Sequence, residues 1–133
     1  MPVYKCYAPE NSMSQEDRSR VAEGITEVHC RIVGVPPFGV HVVFIDNTDG
    51  GNPEEAPYFI HGINRAGRSP EFKQRILEGL TANFSETTGV SLSKISGTIE
   101  EIPASHFMEL GVIVPEPGQE PAEWHTVSAA AKG

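Results

Sequence analysis

The stretch Met1-Pro2-Val3-Tyr4-Lys5-Cys6-Tyr7 begins the chain and predicts its first β-strand. Val3 to Tyr7 is rich in β-branched and aromatic residues, which suit a strand. A mostly polar connection follows. Ser14 then stands three residues before Asp17, the spacing of an N-cap and its partner at the start of a helix. A strand that runs into a helix is the first part of a β-α-β unit.

The helix predicted after Ser14 has one apolar face, with apolar residues four, three and four positions apart. These residues are Val21, Ile25, Val28 and Ile32. Gly34 is placed to end the helix, and Val35 to Gly39 reads as a turn. The run His41-Val42-Val43-Phe44-Ile45 predicts a second strand, apolar enough to be buried on both faces. Residues 1–46 therefore predict one β-α-β unit.

The same order of elements is repeated after a loop predicted at 46–57, which contains two prolines and two glycines. Tyr58 to Ile63 predicts a strand, and Ser69-Pro70-Glu71 predicts a helix start with a Ser cap and Pro at the first helical position. An apolar stripe with a spacing of four follows and ends near Gly89. The stripe consists of Phe72, Ile76, Leu80 and Phe84. With a strand at 94–102, residues 58–103 predict a second β-α-β unit.

The pattern weakens after the second unit. Residues 104–110 predict one or two helical turns, and Val112-Ile113-Val114 predicts a short strand at a sheet edge. Prolines and a glycine then exclude regular structure, so residues 112–133 predict an extended C-terminal tail. Its single Trp124 suggests that the tail docks on its own domain or on a neighbouring subunit.

Composition predicts one globular domain over residues 1–133, with 38% hydrophobic and 21% charged residues. No apolar run approaches the roughly 20 residues of a membrane span, and the start of the chain has no signal-peptide core, so we expect a cytoplasmic protein. The formal net charge of −8 argues against nucleic acid as a partner. Two cysteines and five histidines without ligand spacing predict no disulfide framework, metal or cofactor.

Pro2 is the first candidate for chemistry, because removal of Met1 would leave it as a free secondary amine. An ordinary α-amino group titrates at about 7.7–8.0. Burial or a nearby cation would lower that pKa, which suits a general base near neutrality. The alternative is that Pro2 merely opens an edge strand, where its missing N–H costs nothing. If Met1 is retained, Pro2 is an ordinary amide and this chemistry is lost.

Arg65 and Arg68 are two of only ten basic residues, and they lie in the loop that leads into the second predicted helix. A helix N-terminus favours anions, and guanidinium groups bind carboxylates through two parallel hydrogen bonds. The pair therefore predicts an anion site at the start of this helix. The alternative is a solvated loop with surface ion pairs.

The chain resembles the tautomerase superfamily. The residues that carry this resemblance are Pro2, a histidine late in the first helix and two arginines before the second helix, each at the matching position. Within this superfamily the chain is most similar to the subgroup of cis-3-chloroacrylic acid dehalogenase. The matching segments are 2–4, 21–29, 61–69 and 115–118. The resemblance implies an α+β fold in which two β-α-β units form a four-stranded sheet with two helices on one face. It also implies a homotrimer whose tails wrap neighbouring subunits.

The resemblance further implies roles for single residues. Pro2 matches the catalytic proline, Arg65 and Arg68 the pair that holds the substrate carboxylate, and His29 a histidine that assists in holding substrate. His29 also borders the apolar face of its helix, so it could instead be a hydrogen-bonded core histidine.

Glu109 matches the glutamate that activates water in the dehalogenase, and its alternative role is that of a solvated acid near the end of a short helix. Thr98 stands where the subgroup has a tyrosine that assists this glutamate. Threonine is shorter and a poor acid, so it cannot replace the reach or the proton donation of a phenol.

Three functions follow from these residues. The first is proton transfer through Pro2 on a small unsaturated, enol or keto carboxylate. The second is hydration, in which protonated Pro2 is the acid and Glu109 the base to water, giving a hydratase or a cis-3-haloacrylate hydrolytic dehalogenase. The third is a non-catalytic oligomeric binding protein. All three predict a small carboxylate as partner and none predicts a membrane.

Overall fold

A computed structural model describes residues 2–35, 37–47 and 56–122. The strands and helices are β1 Val3–Ala8, α1 Gln15–Val33, β2 His41–Asp46, β3 Tyr58–Arg65, α2 Pro70–Thr88, β4 Ile95–Ile102, β5 Met108–Glu109 and β6 Val112–Ile113. Short 3₁₀ turns lie at Pro37–Gly39, Leu92–Lys94 and Ala104–His106. Most of the predicted loop at 46–57 and the predicted docking of Trp124 lie outside the described residues.

The main sheet has four strands in the order β2-β1-β3-β4. β1 pairs with β2 and β3 with β4 in parallel, as each β-α-β unit requires, and the two units meet through the antiparallel pair β1 and β3. Both helices pack against each other and supply buried side chains to one core on the same face of the sheet. The predicted fold is therefore confirmed. No helix in the described ranges is long and apolar enough to cross a membrane.

Helix boundaries follow local chemistry. The Asp17 amide donates a hydrogen bond to Ser14 Oγ at 3.0 Å, and Gly34 ends α1 with a left-handed φ of 79°. Ser69 is the N-cap residue of α2 and Pro70 its first residue, although the Ser69 side chain makes no capping hydrogen bond. Gly89 ends α2 with the same φ of 79°. The two helices are thus fixed at the residues that the sequence predicts.

The core contains the apolar stripes of both helices, except Phe72, and the inward side chains of the central strands. Tyr4 is 0% exposed and its ring crosses β3 at Gly62. A Cβ atom at Gly62 would lie 2.7 Å from Tyr4 Cε1, so only glycine leaves room for this ring. The fold therefore buries a tyrosine hydroxyl close to the chain start.

The prediction that the second strand is buried on both faces is wrong for the protomer. β2 is an edge strand, and Val43 and Ile45 on its outer face are 47% and 37% exposed. Val42 and Phe44 pack against the core from the other face. The reason is that both helices cover the same face of the sheet.

The segment after β4 differs from its prediction. Residues 104–110 form a single 3₁₀ turn and then β5, rather than one or two helical turns that reach Leu110. β6 pairs antiparallel with β5 instead of joining an edge of the main sheet. Leu110 and Gly111 have φ values of 53° and 77°, which make a tight turn that folds the chain back on itself.

Candidate active site

Strand and helix directions bring the predicted site residues to one end of the sheet. β1 runs antiparallel to β3, so Pro2, just before β1, lies at the end where β3 finishes with Arg65. α1 returns antiparallel to β1, which carries His29 back toward this end. α2 begins here, two residues after Arg68. The topology therefore gathers residues that are far apart in sequence.

Pro2 is buried and its backbone is fixed. Its carbonyl accepts a hydrogen bond from the His41 amide at 3.1 Å, which ties the chain start to the edge strand β2. Met1 lies outside the described residues.

His29 is 1% exposed, and its Nδ1 lies 2.6 Å from Tyr4 Oη. The two rings meet edge to face with centroids 5.7 Å apart. Burial, together with the positive charges of Arg68 and Arg65, lowers the pKa of His29 to about 3. His29 is therefore both a hydrogen-bonded buried histidine and a neutral neighbour of the arginine pair.

Two site residues were not predicted from the sequence. Asn64 is 3% exposed, and its side chain lies next to the Tyr4 hydroxyl. Burial raises the pKa of Tyr4, against smaller opposing effects of Asn64 and Arg68. Tyr4 lies two residues after Pro2 on the same face of β1, so strand alternation could have identified it. Asn64 gives no comparable signal.

Arg65 is engaged by the C-terminal segment. Its side chain is 3% exposed, and its guanidinium donates to the Pro115 carbonyl and, at 2.7 Å, to Glu120 Oε1. The Glu120 side chain is 10% exposed. Burial alone would raise the pKa of Glu120, but the hydrogen bond and charge of Arg65, together with the backbone amides of Glu120 and Gly118, outweigh burial and lower it. Arg65 and Glu120 thus form a buried ion pair that holds the segment after β6 against the site.

Arg68 has a different environment. Its Nη1 donates a long hydrogen bond of 3.4 Å to the Arg65 carbonyl, and no carboxylate of the described ranges lies within 4.0 Å of its guanidinium. Burial and the charge of Arg65 lower the pKa of Arg68. A partly buried cation without a close counter-ion is suited to bind an anion.

The space between α2 and the strands behind Arg68 is small. A cavity of about 10 Å³ is lined by residues that include Asn64, Arg68, Phe72 and Ile99. This volume is near the lower limit for one water molecule. A carboxylate ligand must therefore approach Arg68 from outside this cavity.

Glu109 lies in β5, which belongs to the two-stranded sheet and not to the four-stranded one, and it is partly buried. Its hairpin is joined to the site through Pro115, which follows β6 by two residues and accepts from Arg65. Glu109 is thus in a strand and not at the end of a helix. Among the described residues no group of three or more His, Cys, Asp or Glu could hold a metal ion.

In the folded chain Thr98 does not lie with the other predicted site residues. It is exposed and paired with His61 in the register of β3 and β4, whereas its neighbour Ile99 is buried on the helix side. Because side chains alternate along a strand, Thr98 lies on the face of the sheet without helices, whereas Tyr4 lies on the face that the helices cover.

Comparison with known proteins identifies the family. Residues 1–128 match the family Tautomerase_3, "Putative oxalocrotonate tautomerase enzyme". The structure is similar to N1, a member of the cis-3-chloroacrylic acid dehalogenase family, with a TM-score of 0.81, 26% identity and 98% of both chains covered. Native Ps01740 is similar with a TM-score of 0.68 and 28% identity over 80% of this chain and 99% of that chain.

A third solved structure, the F6 fused 4-OT wild type asymmetric trimer, has a TM-score of 0.73 and 20% identity over 84% of this chain and 94% of that chain, which supports the fold alone. A search of curated proteins finds no match. The chain therefore belongs to the Tautomerase_3 family of the tautomerase superfamily, and within that superfamily it is similar to cis-3-chloroacrylic acid dehalogenase.

Proposed function

We propose that the chain is an enzyme that uses Pro2, freed by removal of Met1, to transfer a proton on a small unsaturated, enol or keto carboxylate. The observation that carries this proposal is the position of buried Pro2 at the same end of the sheet as the arginine pair. Family membership supports it, because the matched family and its similar structures are named for enzymes.

The chemistry requires a neutral amine. A buried terminal amine close to cations has a lowered pKa, so Pro2 would be unprotonated near neutrality. Its nitrogen takes the proton of an enol hydroxyl, and the same proton is then returned to carbon to give the keto acid. Negative charge develops on the enolate oxygen in between. Arg68 holds the substrate carboxylate, and the charge of the arginine pair stabilises the enolate.

The two arginines contribute differently to this scheme. Arg68 has no close carboxylate among the described residues, so its donors are available to the substrate. Arg65 already donates to Pro115 and Glu120, so it supplies positive charge and anchors the C-terminal segment. His29 is neutral, and it would assist by hydrogen bonding rather than by donating charge.

The direct test replaces Pro2 with alanine and measures turnover of phenylenolpyruvate or a 2-hydroxydienoate. General base catalysis contributes about 10²- to 10⁴-fold, so kcat/KM should fall at least about 100-fold. Pro9→Ala, at the other end of β1, is the matched control and should keep full activity. An active Pro2→Ala variant would refute the proposal. A parent protein that turns over none of these acids and no haloacrylate would favour the non-catalytic binding role.

Hydration is the second candidate, favoured by the link from the Glu109 hairpin to Arg65 through Pro115. Glu109 would take a proton from water while the water oxygen bonds to C3 of a cis-3-haloacrylate. Protonated Pro2 would give a proton to C2. The resulting halohydrin loses halide and a proton to form malonate semialdehyde. Halide release by the parent protein that stops in Glu109→Gln would support this role, and equal release by both would exclude it.

We also propose that the protein is a homotrimer. Apolar side chains are exposed on the helix-free face at Val43 and Ile45, and Leu110 and Val112 of the hairpin are 99% and 66% exposed. Exposed apolar surface of this kind marks protein interfaces, and a similar structure is a trimer. Size-exclusion chromatography with light scattering should give three times the chain mass; a monomer at micromolar concentration would contradict the proposal.

A further inference from the structure

Three buried side chains lie in a row beside the arginine pair. Tyr4, His29 and Asn64 are 0%, 1% and 3% exposed. Tyr4 Oη lies 2.6 Å from His29 Nδ1, and the Asn64 side chain lies next to the same hydroxyl. Tyr4 is therefore the central member, and its hydroxyl has one hydrogen to donate.

The direction of the hydrogen bond between Tyr4 and His29 can be worked out. Asn64 Oδ1 is buried and has no hydrogen-bond partner among the described residues, so it does not accept the hydrogen of the Tyr4 hydroxyl. His29 Nδ1, 2.6 Å from Tyr4 Oη, is the acceptor that the described residues offer to this hydroxyl. The hydrogen of Tyr4 must then point to His29 Nδ1. Because a neutral imidazole carries one N–H, the hydrogen of His29 is on Nε2.

We propose that Tyr4 is a positioning residue which holds His29 in the Nε2–H tautomer, so that this ring can only donate, and not accept, a hydrogen bond at Nε2. This tautomer follows from the row Asn64, Tyr4, His29. Its use, donation to an anionic substrate bound at Arg68, rests on the proposed function. In the other tautomer Nε2 would present a lone pair, which repels a carboxylate or enolate oxygen.

The surroundings make this arrangement rigid. Gly62 leaves space for the Tyr4 ring, because any Cβ there would meet Tyr4 Cε1 at 2.7 Å. Burial keeps His29 uncharged, so it cannot donate from both nitrogens. His29 therefore contributes a directed hydrogen bond beside two cations and no charge of its own.

The tautomer can be measured without any substrate by ¹⁵N NMR of the histidine ring nitrogens. In the parent protein His29 should show an unprotonated Nδ1 and a protonated Nε2 at neutral pH. Tyr4→Phe keeps the buried ring and removes only the hydroxyl, so the two tautomers should become mixed. Tyr7→Phe, on the opposite face of β1, is the matched control and should leave His29 unchanged. A protonated Nδ1 in the parent protein, or an unchanged tautomer in Tyr4→Phe, would overturn the proposal.

Kinetics test the use of the tautomer. The amide nitrogen of glutamine can mimic Nε2 and that of asparagine Nδ1, so His29→Gln should retain more activity than His29→Asn. Tyr4→Phe should lower kcat/KM about tenfold, which corresponds to the loss of one hydrogen bond. The reverse order of the two His29 variants would contradict a donor at Nε2. If no acid is turned over, the proposed function fails while the NMR result still decides the tautomer.

Discussion

Glu120→Gln tests the ion pair that ties the C-terminal segment to the site. Glu120 uses both oxygens, Oε1 as acceptor from Arg65 at 2.7 Å and Oε2 as acceptor from the Gly118 amide at 2.9 Å. Glutamine has one oxygen, so one of these two donors loses its acceptor and meets an NH₂ group instead. Arg65 also loses its counter-ion while it stays 3% exposed.

The expected loss of stability is about 2 kcal/mol. Hydrogen bonds to charged groups contribute about 1.5–3 kcal/mol, and removing one partner of a buried pair costs up to about 3–5 kcal/mol. The lower part of this range applies because the Pro115 carbonyl still accepts from Arg65. For a chain of this size about 2 kcal/mol lowers Tm by roughly 6 °C.

Urea or thermal unfolding at one fixed protein concentration measures the difference, since assembly makes Tm depend on concentration. Glu116→Gln, an exposed acid in the same segment, is the control and should change stability by less than about 0.5 kcal/mol. The pKa of Glu120 is lower in the folded chain than in the unfolded chain, so its contribution is present above about pH 4.3 and is lost as the pH falls through the folded pKa. A variant as stable as the parent protein at neutral pH, or a gap that persists in acid, would refute the reasoning.

Three further predictions follow from the same contacts. Arg68→Ala should raise KM for a carboxylate substrate about 10- to 100-fold with little change in Tm, whereas Arg65→Ala should lower Tm, as steady-state kinetics and thermal unfolding would report. Gly62→Ala should cost about 1–3 kcal/mol in urea unfolding, because its Cβ overlaps the Tyr4 ring. His29 titrates at about 3 in the folded chain and near 6.5 when unfolded, so the stability of the parent protein should fall more steeply than that of His29→Gln as the pH drops from about 6.5.

Local patterns predict the fold well because its units are local. Ser14 with Asp17, Gly34 and the helical stripes depend on neighbours in sequence, and each matches the structure. The strand β2 was predicted at the right residues, but its predicted burial on both faces was wrong, since the apolar content of a strand does not reveal how many layers cover the sheet. The β5–β6 hairpin depends on positive φ values at Leu110 and Gly111, which composition did not indicate.

The site could be predicted only where a residue type is unusual for its position. Pro2 and the two arginines have this property, and the topology places them at one end of the sheet. Strand alternation places Tyr4 on the same face of β1 as Pro2, but only the structure shows that its hydroxyl lies at His29 Nδ1. Glu120 lies 55 positions from its partner Arg65 in a proline-rich segment, so sequence spacing gives no reason to pair them.

The intact mass of the protein, expressed without an N-terminal tag, tests the central claim most directly. Our account predicts a mass short of the full sequence by one methionine, because only then is Pro2 a free secondary amine that can accept a proton. A mass that includes Met1 would contradict it, since Pro2 would be an amide nitrogen without a basic lone pair. The arginine pair would then be an anion site with no base beside it.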